Sequence, residues 1–184
     1  ADVRRVLFIR TDRLGETLLN APAIAALRSA CPEASLTVLV QPALQPFMSR
    51  LPAVDQVLAT PVPAARWWWM RAVRLAWLLK AHRYDLAVVS NPQKELHLAV
   101  WLAGIPWRVG YDRKWGGLLN TRVPDRKSLG ECHEVEYNMR LLTALGISQP
   151  NPRLDLPIRE PERRNFSQVL DRFGIPATNC LVAM

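Results

Sequence analysis

Apolar and polar positions fall into blocks of two periods along this 184-residue chain. Short, nearly continuous apolar runs at Val6–Ile9, Ser35–Val40, Val54–Leu58, Tyr84–Ser90 and Trp107–Tyr111 have strand length. Between them apolar residues recur at helical spacing, as Leu18, Ile24 and Leu27 do after the first run. Further helices are predicted near residues 65–83, 93–103 and 131–145, the last closing at Gly146. Residues 41–50 read as a short helix broken by Pro42 and Pro46, and residues 112–130 read as loop. Strands alternating with helices of this length imply βαβ crossovers. The fold class expected is α/β, a Rossmann-like, mostly parallel sheet with helices on both faces.

The C-terminal part has a different texture. Residues 148–161 contain Pro150, Pro152, Pro157 and Pro161 and read as an extended connector. An amphipathic helix over 162–173 follows, and then the apolar run Cys180–Met184, which reads as the opening of a buried strand. The division expected is a first domain over 1–147, followed over 148–184 by a linker, a helix and the first strand of a second domain.

Composition narrows the class without choosing a function. Hydrophobic residues make up 49% and charged residues 22%, the balance of a globular protein with a real core. The formal charge is +8 and is carried by arginine rather than lysine, which favours anionic partners, phosphate and carboxylate above all. Cys31, Cys132 and Cys180 lie far apart with no C-x-x-C spacing, so reduced thiols are expected and neither a disulfide framework nor a metal site is. No leader-like segment and no apolar stretch of about 18 residues is seen, so a cytoplasmic chain is expected. No P-loop or G-x-G-x-x-G pattern occurs.

The first strand-to-helix turn holds the most chemistry. In an open α/β sheet such a turn lies where ligands bind, and this one carries Arg10, Asp12, Arg13, Gly15 and Glu16. Glu16 could serve as a general base, or as an acid in a helix's first turn that complements the macrodipole. Asp12 competes for the same role and also suits a turn or N-cap. Arg10 and Arg13 could bind an anion or stand as solvated charge, and Gly15 would allow close backbone approach or a tight helix entry.

The run from Ile9 to Ile24 resembles the N-terminal signature of the ADP-heptose:lipopolysaccharide heptosyltransferases, glycosyltransferase family 9. In the same order, Cys31–Val40 resembles the family's "YPDAxITxLV" stretch. Tyr84–Val89 and Arg108–Asp112 resemble its "YDLVI" and "RIGYD" strands, and His133–Tyr137 its "HxVEry" helix start. The resemblance implies the N-terminal half of a GT-B glycosyltransferase, in which this half binds the sugar acceptor and a second half binds the nucleotide-sugar donor. It implies transfer of a heptose from ADP-heptose to a lipid-linked saccharide acceptor of the lipopolysaccharide inner core, with inversion, without metal or other cofactor. It also implies a place at the inner face of the inner membrane. The isolated chain is then expected to be inactive.

The family has aspartate where this chain has Glu16, so the base role carries over to a side chain longer by one methylene. Arg122, within Asn120-Thr121-Arg122, resembles an acceptor-contacting arginine of the family. Lys94, Arg113 and Lys114 fall near strand ends and in the loop that follows, and are the further acceptor-binding candidates. His133 is expected to be a structural hydrogen-bonder at its helix start.

Trp67, Trp68 and Trp69 are consecutive, so they cannot all face one core when successive helical residues lie about 100° apart. Arg66, Arg71 and Arg74 surround them. Arg66, Trp67, Arg71 and Arg74 are the candidate contacts to an anionic membrane surface. A core helix with a stray surface tryptophan, or a contact with the second domain, is the plainer alternative; stacking on nucleic acid is disfavoured. A rival for the whole chain is a non-catalytic basic α/β module docking on an anionic membrane or nucleic-acid surface.

Overall fold

A computed structural model describes residues 3–60, 67–148 and 156–176. It contains six strands: β1 (Arg5–Ile9), β2 (Ser35–Val40), β3 (Gln56–Ala59), β4 (Leu86–Val89), β5 (Trp107–Tyr111) and β6 (Thr121–Val123). The helices are α1 (Leu14–Leu18), α2 (Ala21–Ala30), α3 (Gln45–Met48), α4 (Trp68–His82), α5 (Lys94–Leu102), α6 (Glu134–Thr143) and α7 (Glu160–Arg172). The sheet order is β3-β2-β1-β4-β5-β6, with every pairing parallel. The chain winds outward from β1 in one direction and from β4 in the other. The crevice beyond the carboxyl ends of β1 and β4 is therefore the topological switch point, where such sheets bind ligands.

Burial on both faces explains the continuous apolar runs. Val6 and Phe8 of β1 join Ile24 and Leu27 of α2 and Leu141 and Leu142 of α6 in one core layer. Leu7 and Ile9 face the other way, with Leu79 of α4 and Leu96 and Val100 of α5. Ile24 and Leu27 are fully buried, and each contributes about 1.5–3 kcal/mol of transfer free energy. Helices α4 and α5 approach through small residues, Ala72 and Ala76 against Ala99.

Three features depart from the expected elements. The helix after β1 is two helices, α1 and α2, broken around Leu19 and Asn20, with Pro22 in the first turn of the second. The predicted loop over 112–130 contains β6, which continues the sheet from β5. Its three residues with a central Arg122 form no apolar run, because an edge strand has one open side. Helix α7 starts two residues earlier than the sequence suggests, with Glu162 accepting from the Arg159 backbone N–H at 2.6 Å.

Other boundaries agree with the sequence. Gly146 takes the left-handed conformation after α6, with φ +79°. His133 caps α6, its Nδ1 accepting from the Val135 N–H at 3.3 Å. Arg66, half of the proline-rich connector (149–155) and Cys180–Met184 lie outside the described residues. Among the described residues no helix is long and apolar enough to cross a membrane.

Candidate active site

Arg10 follows the last residue of β1, and its side chain is 4% exposed. A buried guanidinium must be paired, and this one is paired on every side. Its Nε donates to Asp12 Oδ1 at 2.7 Å. Nη1 donates to the Ser90 carbonyl at 3.0 Å and to Ser90 Oγ at 3.2 Å. Nη2 donates to Glu16 Oε2 and lies 3.5 Å from Glu134 Oε1. Ser90 follows the last residue of β4, so this one side chain ties together the two strands flanking the switch point.

A polar shell beneath Arg10 fixes the start of α1. Ser90 Oγ donates to Asn20 Oδ1 at 2.6 Å, and Asn20 Nδ2 donates to the Glu16 carbonyl at 2.7 Å. Asn138 of α6 is also fully buried, with its Nδ2 donating to the Leu19 carbonyl at 3.4 Å. The break between α1 and α2 thus occurs where buried amides take up backbone carbonyls.

Lys127 completes the ring from a distant part of the chain. Its Nζ donates to Glu16 Oε2 at 2.8 Å and to Glu134 Oε1 at 2.9 Å. That hydrogen bond, and then the charges of Lys127, Arg10 and Arg13, hold the Glu16 carboxyl below the usual glutamate range against a partial burial that would raise it. Partial burial opposes charge on Lys127, but its bonds to Glu16 and Glu134 outweigh that and keep its ammonium above the usual lysine range. Asp125 accepts from the Tyr137 hydroxyl, and from Arg113 Nη1 and the Lys127 N–H at 3.2 Å each. These bonds hold its carboxyl low although burial would raise it. Tyr111 stacks on Tyr137 with ring centroids 4.4 Å apart, and its hydroxyl donates to the Tyr137 carbonyl at 2.7 Å. Burial raises the Tyr111 and Tyr137 phenols, so both remain neutral donors.

These groups line a cavity of about 220 Å³. Arg10, Asp12, Glu16, Asp125 and Lys127 form its charged floor and wall, with Arg113 and Lys114 exposed on the loop after β5. Lys114 and Trp115 both hold positive φ, +45° and +72°, an uncommon conformation for residues with a Cβ and one that recurs at binding sites. Asn91, almost fully buried, also lines the cavity. Its Nδ2 donates to Thr11 Oγ1 at 3.3 Å, while its Oδ1 has no hydrogen-bond partner among the described residues. A buried acceptor without a donor suits a hydroxyl-bearing ligand. The arrangement offers one carboxylate that is still 36% exposed, Glu16, beside fixed cations and neutral phenols.

Most residues singled out from the sequence meet here, and some do not. Arg10, Asp12, Glu16, Arg113 and Lys114 line the cavity. Arg13 precedes α1, is exposed, and reaches the site only through its charge on Glu16. Gly15 is exposed, and a Cβ there would meet nothing within 4 Å, so packing among the described residues does not require a glycine there. Lys94 leaves the cavity because its Nζ sits 4.4 Å above the Trp68 ring, a cation–π contact. Arg122 stands on the edge strand, 3.9 Å from Asp112, and does not line the cavity. Helix α1 has only five residues, too short for the macrodipole reading of Glu16 to explain its place. Lys127, Asp125, Tyr137, Ser90 and Asn91 were not anticipated. Asn91-Pro92 closing the β4 run, and Asp125 within Val123-Pro124-Asp125, were the available hints.

A doubly wound parallel sheet with a charged cavity at its switch point matches one half of the GT-B glycosyltransferase fold. A solved glycosyltransferase family 9 structure from Veillonella parvula superposes with a TM-score of 0.83 at 20% identity, over 97% of this chain and 51% of that one. The structure of Escherichia coli ADP-heptose lipopolysaccharide heptosyltransferase II gives a TM-score of 0.70 at 24% identity, over 94% of this chain and 51% of that one. At these identities the likeness shows the fold.

Sequence relatives carry related names. A Haemophilus influenzae protein with a provisional glycosyltransferase name is 27% identical over 161 residues, 87% of this chain and 44% of that protein. Lipopolysaccharide heptosyltransferase 2 of Escherichia coli is 25% identical over 160 residues, 86% of this chain and 45% of that protein. No protein-family model matches the chain. The chain spans less than half the length of these curated relatives. The resemblance to the family 9 heptosyltransferases read from the sequence thus meets relatives of that name, at low identity over most of the chain.

Proposed function

We propose that this chain is the acceptor-binding half of a glycosyltransferase that moves a heptose from ADP-heptose to a hydroxyl of the lipopolysaccharide inner core, with inversion at the anomeric carbon. The observation that carries the reading is Glu16, a partly exposed carboxylate fixed between Arg10 and Lys127 in the switch-point cavity. In this scheme the acceptor hydroxyl gives its proton to Glu16 while its oxygen bonds to the anomeric carbon. The bond from that carbon to the diphosphate breaks, and ADP leaves towards a donor-side half.

Both cations take Glu16 Oε2, which leaves Oε1 for the acceptor hydroxyl. A carboxylate held this low is a weak base at rest. It suits a reaction in which the hydroxyl proton becomes acidic only as the new bond forms. Arg113 and Lys114 at the cavity rim suit an anionic acceptor, a phosphate or the carboxylate of an acidic sugar. The orphan Asn91 Oδ1 suits a sugar hydroxyl. An acceptor anchored in lipid puts the reaction on the cytoplasmic side of a membrane, beside its surface.

Transfer from ADP-heptose to a deep-core-truncated lipopolysaccharide, assayed with the full-length gene product, tests the reading. Formation of heptosylated product and ADP in equal amounts is the expected result. A protein that binds the acceptor yet releases no ADP from ADP-heptose would overturn it.

A further inference from the structure

Helix α4 wears its apolar residues on the outside. Trp69, Val73 and Trp77 are spaced four apart, so they fall within about 80° of one another around the axis. They are exposed to 49%, 49% and 81%. The adjoining side of the same helix, Ala72, Ala76 and Leu79, is already buried against α5 and the sheet. A helix on the surface of a water-soluble domain normally shows polar residues there. The stripe runs about 12 Å along the axis, and the charges around it have a single sign. Arg74 and Lys80 are exposed beside it, and no residue from 68 to 82 is acidic.

We infer that the outer face of α4 is a docking surface for an anionic lipid bilayer, with Trp69 and Trp77 seated at the interface and Arg74 and Lys80 against the headgroups. Tryptophan, an apolar ring system with one polar N–H, suits that boundary. Cations beside it gain from an anionic leaflet. A second copy of the chain would bring the same cations against each other, which disfavours self-association through this face.

Of the contacts suggested by the sequence, Trp67 and Arg74 are exposed and Arg66 lies outside the described residues. Arg71 pairs with Glu95 at 3.1 Å and is not available to headgroups. Trp68 turns inward, edge-on to Trp115 at 5.0 Å, which leaves Trp77 as the most exposed ring. The Trp68–Trp115 contact ties the start of α4 to the loop carrying Arg113 and Lys114. Docking would bring the cavity mouth beside the bilayer, and only this last link rests on the proposed acceptor.

Co-sedimentation of the chain with vesicles tests the surface without any sugar, so its outcome is separate from that of the transfer assay. Vesicles of mixed phosphatidylcholine and phosphatidylglycerol should bind at least about tenfold more tightly than pure phosphatidylcholine, and salt should weaken that binding. R74Q/K80Q should lose about tenfold or more. W69A/W77A should lose most binding while keeping the far-ultraviolet circular dichroism of the parent. V73D, a carboxylate in mid-stripe, is the second variant and should abolish binding. R163Q/R164Q, on exposed positions of α7, should retain most of it. Equal binding to both vesicle types, an unaffected W69A/W77A, or an equal loss in the α7 variant would overturn the inference. So would a dimer in sedimentation velocity that W69A/W77A converts to monomer, which would assign the face to a second copy.

Discussion

Lys127 and Glu16, 111 residues apart in sequence, meet with Nζ 2.8 Å from Oε2. The contact joins a short turn after β6 to the first helix after β1, and Glu134 of α6 shares the same ammonium at 2.9 Å. The carboxylate we assign as the base is thereby held charged by a cation from the far end of the sheet. A ligand anion that drew Lys127 away would make Glu16 more basic.

That coupling gives a prediction with a defined sign. Lys127→Met removes the largest influence lowering Glu16, so the Glu16 carboxyl should rise towards its ordinary value of 4.5. The acidic limb of the pH profile of kcat/KM should then move to higher pH. A carboxylate depressed in the fold stabilises it fully above the unfolded value and loses that contribution as pH falls through the folded one. The stability gap between wild type and variant in urea should therefore hold near neutrality and shrink below about pH 4.5. It should stay within about 1 kcal/mol, because both side chains are partly exposed. A gap that instead widened on acidification would contradict the linkage.

Arg10 presents the opposite case. Its removal would leave Asp12, Glu16 and Glu134 facing one another across a largely buried space. Arg10→Met should cost about 3–5 kcal/mol, the penalty for breaking a buried ion pair from one side. Arg10→Lys should recover only part of it, since one ammonium cannot serve Asp12, Ser90 and Glu16 in the directions the guanidinium does. Urea unfolding of both variants at neutral pH measures this.

What the sequence disclosed follows from how local each signal is. The buried strands β1, β2, β4 and β5 announce themselves because a parallel strand covered on both faces must be apolar throughout. The acid and base groups just beyond β1 could be placed because a strand end at a switch point is a local feature. Lys127 could not be placed that way. Its role depends on β6 adding to the sheet edge, and β6 carries no hydrophobic pattern to predict it. The place of Lys94 is illegible for a related reason: its position near a strand end is a local feature, but the Trp68 ring over which it sits comes from another helix. The tryptophan run shows that not all three rings can be buried, and Trp67 and Trp69 are indeed exposed, but that Trp68 is the ring drawn away depends on Trp115, which no local pattern reveals.

The chain by itself should bind the donor nucleotide poorly. It has no glycine-rich phosphate loop, its inner cavity cations Arg10 and Lys127 are already neutralised by Asp12, Glu16 and Glu134, and the rim cations Arg113 and Lys114 are the ones we assign to the acceptor. Titration calorimetry with ADP or an ADP-sugar should show no saturable heat in the micromolar range. Saturable binding there would place a nucleotide site in this half and revise the assignment of acceptor and donor sides.

The last expectation separates the two candidate bases. Glu16 is 36% exposed and carries both cations on one oxygen, whereas Asp12 is 27% exposed and spends Oδ1 on Arg10 Nε. If Glu16 takes the acceptor proton, Glu16→Gln in the full-length protein should lower kcat by at least about 100-fold with little change in KM. The amide keeps the shape of the side chain but cannot accept the proton. Glu16→Asp should retain more activity than Glu16→Gln, because a carboxylate remains; the shorter reach costs rate through misplacement rather than through lost chemistry. Asp12→Asn should act differently. It weakens one of the bonds that hold Arg10, so its effect should fall on stability at least as much as on turnover. Near wild-type turnover in Glu16→Gln, together with its abolition in a folded Asp12→Asn, would transfer the base role to Asp12. Urea unfolding of each variant alongside the kinetics keeps a loss of fold from being mistaken for a loss of chemistry.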